Sequence, residues 1–163
     1  MGQINQRELV LLPATTITAN TNGADMVVPQ GWQAAIISVT TASVGGTSPT
    51  FAVFVQDKLG QPAAADLAGS LPTGTAIYDD FVSFTSITTN TTRLVRVCTG
   101  PLNSTANAST ITTADYALST AALTAGSVRV GAIGGLWRVA VTVGGTSPTA
   151  TVSVCVTLIP FGT

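Results

Sequence analysis

Apolar and polar residues alternate with a period of two along most of the chain, which is the pattern of half-buried β-strands. Val, Ile and Thr dominate these runs, and their branched side chains suit a pleated sheet surface. The first run, at residues 8–12, is expected to be a short strand or an arm. The pattern predicts strands at residues 8–12, 25–28, 32–44, 50–57, 77–85, 92–98, 127–132, 136–143 and 149–159.

Three stretches interrupt the alternation. Residues 63–75 are rich in Ala, Gly and Pro, and residues 99–109 are rich in turn-forming residues, so both are predicted to be loops. Residues 112–123 could form a short helix, with Thr113 as its N-cap and Asp115 in its first turn.

One segment occurs twice: Val44-Gly45-Gly46-Thr47-Ser48-Pro49-Thr50 recurs at residues 143–149. Each copy lies between two alternating runs, so we predict two hairpins. The glycine pairs would allow positive φ where the chain reverses. Each proline would hold the preceding serine extended and place the loop end at a sheet edge or outside the ladder. A duplicated binding loop is the alternative. The residues assigned to these turns are Gly45, Gly46, Pro49, Gly144, Gly145 and Pro148.

Two equivalent hairpins predict two sheet layers that each contribute one hairpin. The expected fold class is all-β, an antiparallel β-sandwich of about eight strands with jelly-roll-like connections. Residues 1–12 are expected to be an N-terminal arm or edge strand, and residues 13–163 a single domain. Trp32 and Trp137 each open a long strand and are expected to be paired anchors in the core or at its rim. A stacking platform for a sugar or a base is the alternative.

Charged residues are scarce in this chain of 163 residues. It has 6 Lys and Arg, 7 Asp and Glu and no His, so that 8% of the residues are charged, against about 25% in an average protein. These numbers exclude histidine-based catalysis and give no basic footprint for nucleic acid. The exterior must then consist largely of Thr, Ser, Asn, Gln, Ala and Gly, which suits close packing against other proteins.

No residue stands in a recognisable catalytic frame. Without histidine, the base for a nucleophile would have to be Lys58 or a carboxylate. Asp79 and Asp80 are adjacent, and neighbours on a strand point to opposite faces, so a solvated turn is expected; a calcium-binding loop is the alternative. We therefore expect no catalytic, cofactor-binding or metal-binding residues.

The remaining reactive and charged residues have structural interpretations. Cys98 and Cys155 each lie within an apolar run and are expected to be buried, reduced thiols; a disulfide would need an oxidising compartment. Arg93 and Arg96 are expected on opposite faces of one strand. The apolar stretch at residues 9–12 is too short for a signal-peptide core, so we expect synthesis in the cytoplasm and no membrane partner.

The two Gly-Gly-Thr-Ser-Pro-Thr segments, with the alternating runs around them, resemble small β-rich structural proteins of tailed bacteriophages. The resemblance covers residues 32–57 and 136–159. Such proteins include capsid decoration (cement) proteins. The resemblance implies a virion protein on the outer capsid surface, a homo-oligomer with a trimer as the expected form, which binds the major capsid protein and stabilises the lattice. The arm that would contact neighbouring subunits comprises Gly2, Gln3, Ile4, Asn5, Gln6 and Arg7.

Two other functions stay open at this point. One is a phage tail or head-fibre module for host attachment, which would bind a surface glycan through Trp32, Trp137 or the loop ends. The other is an enzyme of unrecognised type.

Overall fold

The computed structural model describes residues 6–29, 31–60, 76–98, 111–112, 125–126, 128–129 and 135–160. All regular secondary structure in these ranges is β, which confirms the predicted all-β class, and none of it is a helix that could span a membrane. The strands are β1 (Arg7–Ile17), β2 (Thr21–Asn22), β3 (Met26–Val27), β4 (Trp32–Gly60), β5 (Ile77–Ser83), β6 (Thr91–Cys98), β7 (Ile111–Thr112), β8 (Val128–Arg129) and β9 (Leu136–Pro160).

Several predicted elements fall outside the described residues. These are the loops at residues 63–75 and 99–109 and the helix at residues 112–123, apart from Thr112, which belongs to β7. Of the strand predicted at residues 127–132, the structure describes Val128 and Arg129, which form β8.

The long strands β4 and β9 pair antiparallel along nearly their whole length. Residues 32–42 pair with residues 151–160, and residues 50–57 pair with residues 137–144. The two predicted hairpins are therefore wrong, because each repeat lies within one continuous strand and pairs with the other repeat. Glycine and proline permit a bend against a second strand as readily as a reversal, so the motif alone could not distinguish the two.

The β4–β9 ribbon folds back on itself at the repeats. Trp32 lies opposite Pro160 at one end of the pairing, and Trp137 lies opposite Asp57 at the other. A straight strand of 25 residues would separate these ends by about 80 Å. The two indole rings nevertheless lie 5.6 Å apart, with an interplanar angle of 88°. The ribbon is thus doubled, and the repeats form its corner.

Folding the ribbon creates the two layers of an antiparallel β-sandwich. The first layer has, in order, β1, residues 150–160 of β9, residues 32–42 of β4, and β6. The second has β2 and β3 on one side of residues 136–144 of β9, followed by residues 50–58 of β4, then β5 and β8, with β7 parallel to β8. The predicted sandwich is confirmed, and its jelly-roll connection order stays a prediction.

The inward side chains of both layers form one core. Trp137 is fully buried in this core, with its ring centroid 4.7 Å from that of Phe81, and Trp32 is 7% exposed. The prediction that the tryptophans are paired core anchors is confirmed. Each large buried apolar side chain stabilises the fold by about 1.5–3 kcal/mol relative to an exposed one. Fully buried positions along the ribbon are Ala35, Ile37, Val39, Phe51, Val53, Val55, Trp137, Val139, Ala150, Val152, Val154 and Val156.

The described strands have an approximate two-fold arrangement. β1 and then β2 and β3 flank β9, in the same way as β5 and then β6 flank β4. Both flanking paths cross between the layers beside the corner, at residues 17–21 and 87–91. Ile17 and Ile87 are buried there, opposite Ala150 and Phe51, the residues that follow the two repeats.

β1 is an edge strand among the described strands of the first layer. It runs through residue 12, where the sequence placed a boundary between arm and domain, and both Leu11 and Leu12 belong to the core. Register shifts between Val10 and Thr15, together with Pro13, make this edge irregular. Irregular edges resist pairing with other strands.

Candidate functional site

The two repeats contact each other directly at the corner. Gly46 and Gly145 have φ of +107° and +102°. A Cβ atom at Gly46 would lie 2.6 Å from the Ser147 carbonyl oxygen, and one at Gly145 would lie 2.6 Å from the Ser48 carbonyl oxygen. Real Cβ atoms do not approach an oxygen so closely, so both positions require glycine for space as well as for φ.

The sequence predicted that the serine before each of the two prolines is extended. That prediction is wrong. Ser48 and Ser147 both have φ of +48°, in the left-handed region. Each holds its carbonyl oxygen against the glycine of the opposite repeat, and this packing outweighs the usual preference before proline. Pro49 and Pro148 lie within register shifts of the β4–β9 ladder, so their missing N–H groups remove no ladder bond.

Two asparagines bind the corner from outside. Asn20 Oδ1 accepts a hydrogen bond from the Val143 amide at 2.8 Å, and Asn90 Oδ1 accepts one from the Val44 amide at 2.9 Å. Each valine opens one repeat, so the two bonds are equivalent under the approximate two-fold. Neither asparagine was predicted from the sequence. The signal was a second repeat, Ile-Thr-Ala-Asn-Thr at residues 17–21 and Ile-Thr-Thr-Asn-Thr at residues 87–91.

A polar network covers the outer face of the second layer. Arg138 Nε donates to Gln56 Oε1 at 2.7 Å, and Gln56 Nε2 donates to Asp80 Oδ1 at 2.7 Å. The Arg138 guanidinium stacks on the Tyr78 ring, with Cζ 3.2 Å from the ring centroid. Side chains from β9, β4 and β5 are thereby joined across the sheet.

Asp25, in the link between β2 and β3, completes this network. Its carboxylate accepts hydrogen bonds from Lys58 Nζ at 2.9 Å and from the Tyr78 hydroxyl at 2.7 Å. These two bonds lower the pKa of Asp25. Asp25 in turn raises the pKa of Lys58, while burial and the bond to Asp25 raise the pKa of Tyr78. A raised pKa keeps Lys58 protonated at neutral pH, the opposite of what a general base requires.

Two pairs of charged residues on β5 and β6 lie where strand alternation places them. Asp80 bonds to Gln56 on the outer face, while Asp79 lies opposite Asp57 in the β4–β5 register. Arg93 is half-buried, and its Nη1 donates to the Thr85 carbonyl oxygen at 2.8 Å. Arg96 is exposed, which confirms that the two arginines lie on opposite faces of β6.

Cys155 corrects one expectation. It is a free thiol, as predicted, but it is half-buried on the outer face of the first layer instead of in the core. The cause is strand phase, because the even-numbered positions of β9 from 150 to 158 are the ones that point inward. The Cys98 side chain is outside the described part of the structure.

The predicted arm is described only at its end. Gln6 is exposed, and Arg7 begins β1 opposite Leu158, so the chain enters the sandwich at the end away from the corner. Gly2, Gln3, Ile4 and Asn5 lie outside the described residues.

The described residues contain no group of three His, Cys, Asp or Glu side chains that could hold a metal ion. Comparison with protein-family models, with curated proteins and with solved structures gave no match to this chain.

Proposed function

We propose that this chain is a non-enzymatic virion protein of a tailed bacteriophage, a decoration or cement protein that binds the major capsid protein and stabilises the outer capsid lattice. The observation that carries the proposal is the scarcity of available charge. The chain has 13 charged residues. Four of them, Asp25, Lys58, Asp80 and Arg138, take part in contacts within the second-layer network.

A surface with few free charges is suited to permanent protein contacts. Burying a charged side chain at an interface requires it to lose its hydration, whereas Thr, Ser and Ala are desolvated at little cost. The doubled ribbon and its corner supply a continuous β scaffold for such a surface. The proposed protein functions on the outer capsid after synthesis in the host cytoplasm, and neither nucleic acid nor membrane is a proposed partner.

The proposed capsid contact is the N-terminal segment. Gln6 and Arg7 are exposed at the start of an edge strand, so the residues before them can extend to a neighbouring subunit. The contact residues are those of the predicted arm, Gly2 to Arg7. The homo-oligomer implied by the phage resemblance, with a trimer as the expected form, belongs to the same proposal.

Deletion of residues 2–6 tests the arm. The deletion ends before β1 begins at Arg7, so circular dichroism and melting temperature should not change. Retention on purified particles should fall strongly, while a variant with the same residues replaced by a Gly/Ser segment controls for length. Retention of the unaltered protein should vary little across a salt series, since the contacts are mostly uncharged. A protein that never co-purifies with particles would overturn the proposal.

The tail or head-fibre attachment module is the second candidate. The sequence predicted that such a module would bind glycan through Trp32, Trp137 or the loop ends. Both tryptophans are buried and in contact with each other. Attachment would then depend on the loop ends alone, which makes the cement role the better supported of the two.

A further inference from the structure

The outer face of the first layer has exposed apolar residues at both of its described edges. Strand register places Val10 beside Cys155, Cys155 beside Ser38, and Ser38 beside Leu94, in one row across four strands. Val10 is 49% exposed and Leu94 is 67% exposed. Between them are the smaller, half-buried side chains of Cys155 and Ser38.

The adjacent row ends in opposite charges. It contains Glu8 on β1, Thr157 on β9, Ile36 on β4 and Arg96 on β6. Glu8 and Arg96 are both exposed, on opposite edges of the layer as its described strands form it. We call these two rows together the paired-row face.

The paired-row face matches itself under a two-fold rotation. Consider an axis parallel to the strands, above the boundary between β9 and β4. A rotation of 180° about this axis generates the second copy. The β1 edge of each copy then lies over the β6 edge of the other. Glu8 of each copy then faces Arg96 of the other, and Val10 of each copy faces Leu94 of the other. Both the charges and the apolar residues are complementary.

We propose that the paired-row face is a homodimer interface, where two copies of this chain pack first layer against first layer. The central residues Ser38, Cys155, Ile36 and Thr157 are uncharged, so the two sheets can pack face to face at about 10 Å without burying a charge between them. With strands about 4.8 Å apart and about eight residues of each strand in contact, the interface would bury about 1,000 Å² in total, near the lower bound for a specific interface.

The paired-row face suits a second copy better than the outer face of the second layer would. The polar groups of the second-layer network already bond to each other, and packing against that face would desolvate Lys58, Asp80 and Arg138. The proposed contact is isologous and closes after two copies. It is independent of the capsid-binding proposal, and a trimer would have to form through another surface.

The first test uses Leu94→Asp, with Val27→Asp as its matched control. Val27 is 69% exposed on β3, at the edge of the second layer, so the two substitutions add the same charge at similar exposure. Sedimentation velocity over a concentration series should show a dimer for the unaltered chain and for Val27→Asp. Leu94→Asp should raise the dissociation constant by about tenfold or more, because the charge would be buried in the interface.

A charge exchange tests the two-fold geometry itself. Glu8→Arg and Arg96→Glu should each weaken the dimer several-fold, since each places like charges opposite one another twice. The double variant should regain the original dissociation constant. In an equimolar mixture of the two single variants, the heterodimer with one chain of each should regain it as well, because both of its contacts again join opposite charges. Circular dichroism verifies that each variant is folded.

Three results would overturn the proposal. One is a monomer at all concentrations, and another is an assembly whose mass Leu94→Asp leaves unchanged. The third is a double exchange that remains as weak as the single variants, because Glu8 and Arg96 would then not face each other.

Discussion

The indole rings of Trp32 and Trp137 lie edge to face, 5.6 Å apart, although the two residues occupy opposite ends of the β4–β9 pairing. This contact requires the ribbon to double back at its repeats. The flanking segments at residues 17–21 and 87–91 cross between the layers beside the same corner, so the repeats set the position of both layers.

The tryptophan pair should give a spectroscopic signature. These are the chain's two tryptophans, so an exciton couplet in the circular dichroism spectrum can be assigned to their contact. Trp32→Phe and Trp137→Phe should each abolish the couplet while keeping most of the buried apolar area. A couplet that persists in either variant would show that the ends of the ribbon do not meet.

Alanine at the corner glycines should destabilise the fold. Gly46→Ala and Gly145→Ala each force a Cβ atom against a carbonyl oxygen of the other repeat and strain φ, so each should lower the free energy of unfolding by about 1–3 kcal/mol. Gly31→Ala is the control, because Gly31 has φ of +89° but no heavy atom within 4 Å of its added Cβ. Equal losses at all three positions in urea unfolding would contradict the repeat-to-repeat contact.

The corner asparagines should contribute equally. Asn20→Ala and Asn90→Ala each remove the acceptor for a valine amide, so each should lower the free energy of unfolding by about 0.5–1.5 kcal/mol. Asn20→Asp and Asn90→Asp keep an acceptor oxygen and should recover most of the loss. Chemical denaturation of the four variants tests this, and a large loss in only one alanine variant would argue against the two-fold equivalence.

The Asp25 contacts should make stability depend on pH in two windows. The lowered pKa of Asp25 adds stability that is present above its unfolded pKa of about 3.9 and is lost as pH falls through the folded value. The raised pKa values of Lys58 and Tyr78 add stability that is present below about pH 10 and is lost as pH rises through their folded values.

Asp25→Asn tests both windows. The difference in free energy of unfolding between the unaltered chain and this variant should be largest near neutral pH and shrink at both extremes. The same substitution should lower the pKa of Tyr78 in an absorbance titration, with Tyr78→Phe identifying its transition. A stability difference independent of pH would mean that Asp25 acts without its charge.

Strand alternation predicted the all-β class and the opposite faces of Arg93 and Arg96. It did so because the period of two depends only on which face each residue presents. The course of the chain at the corner could not be predicted from this alternation. A Gly-Gly-Thr-Ser-Pro-Thr segment suits a reversal or a bend, and the choice depends on the second copy about a hundred residues away.

The interactions of the polar side chains could not be predicted from neighbouring residues in the sequence either. Asp25, Lys58 and Arg138 are distant in sequence, and only the layer brings them together. Cys155 shows the same limit, since its apolar neighbours predicted burial while its phase on β9 places it outward. The repeat that carries Asn20 and Asn90 was readable in principle, because the two segments differ at one position in five.

The cement role is tested most directly by counting the copies of this chain in each purified virion, by quantitative mass spectrometry against the major capsid protein. A protein that covers the capsid lattice is expected in hundreds of copies, in a fixed ratio to the capsid protein. A handful of copies, as in a single ring or a fibre, or none at all, would contradict the cement role.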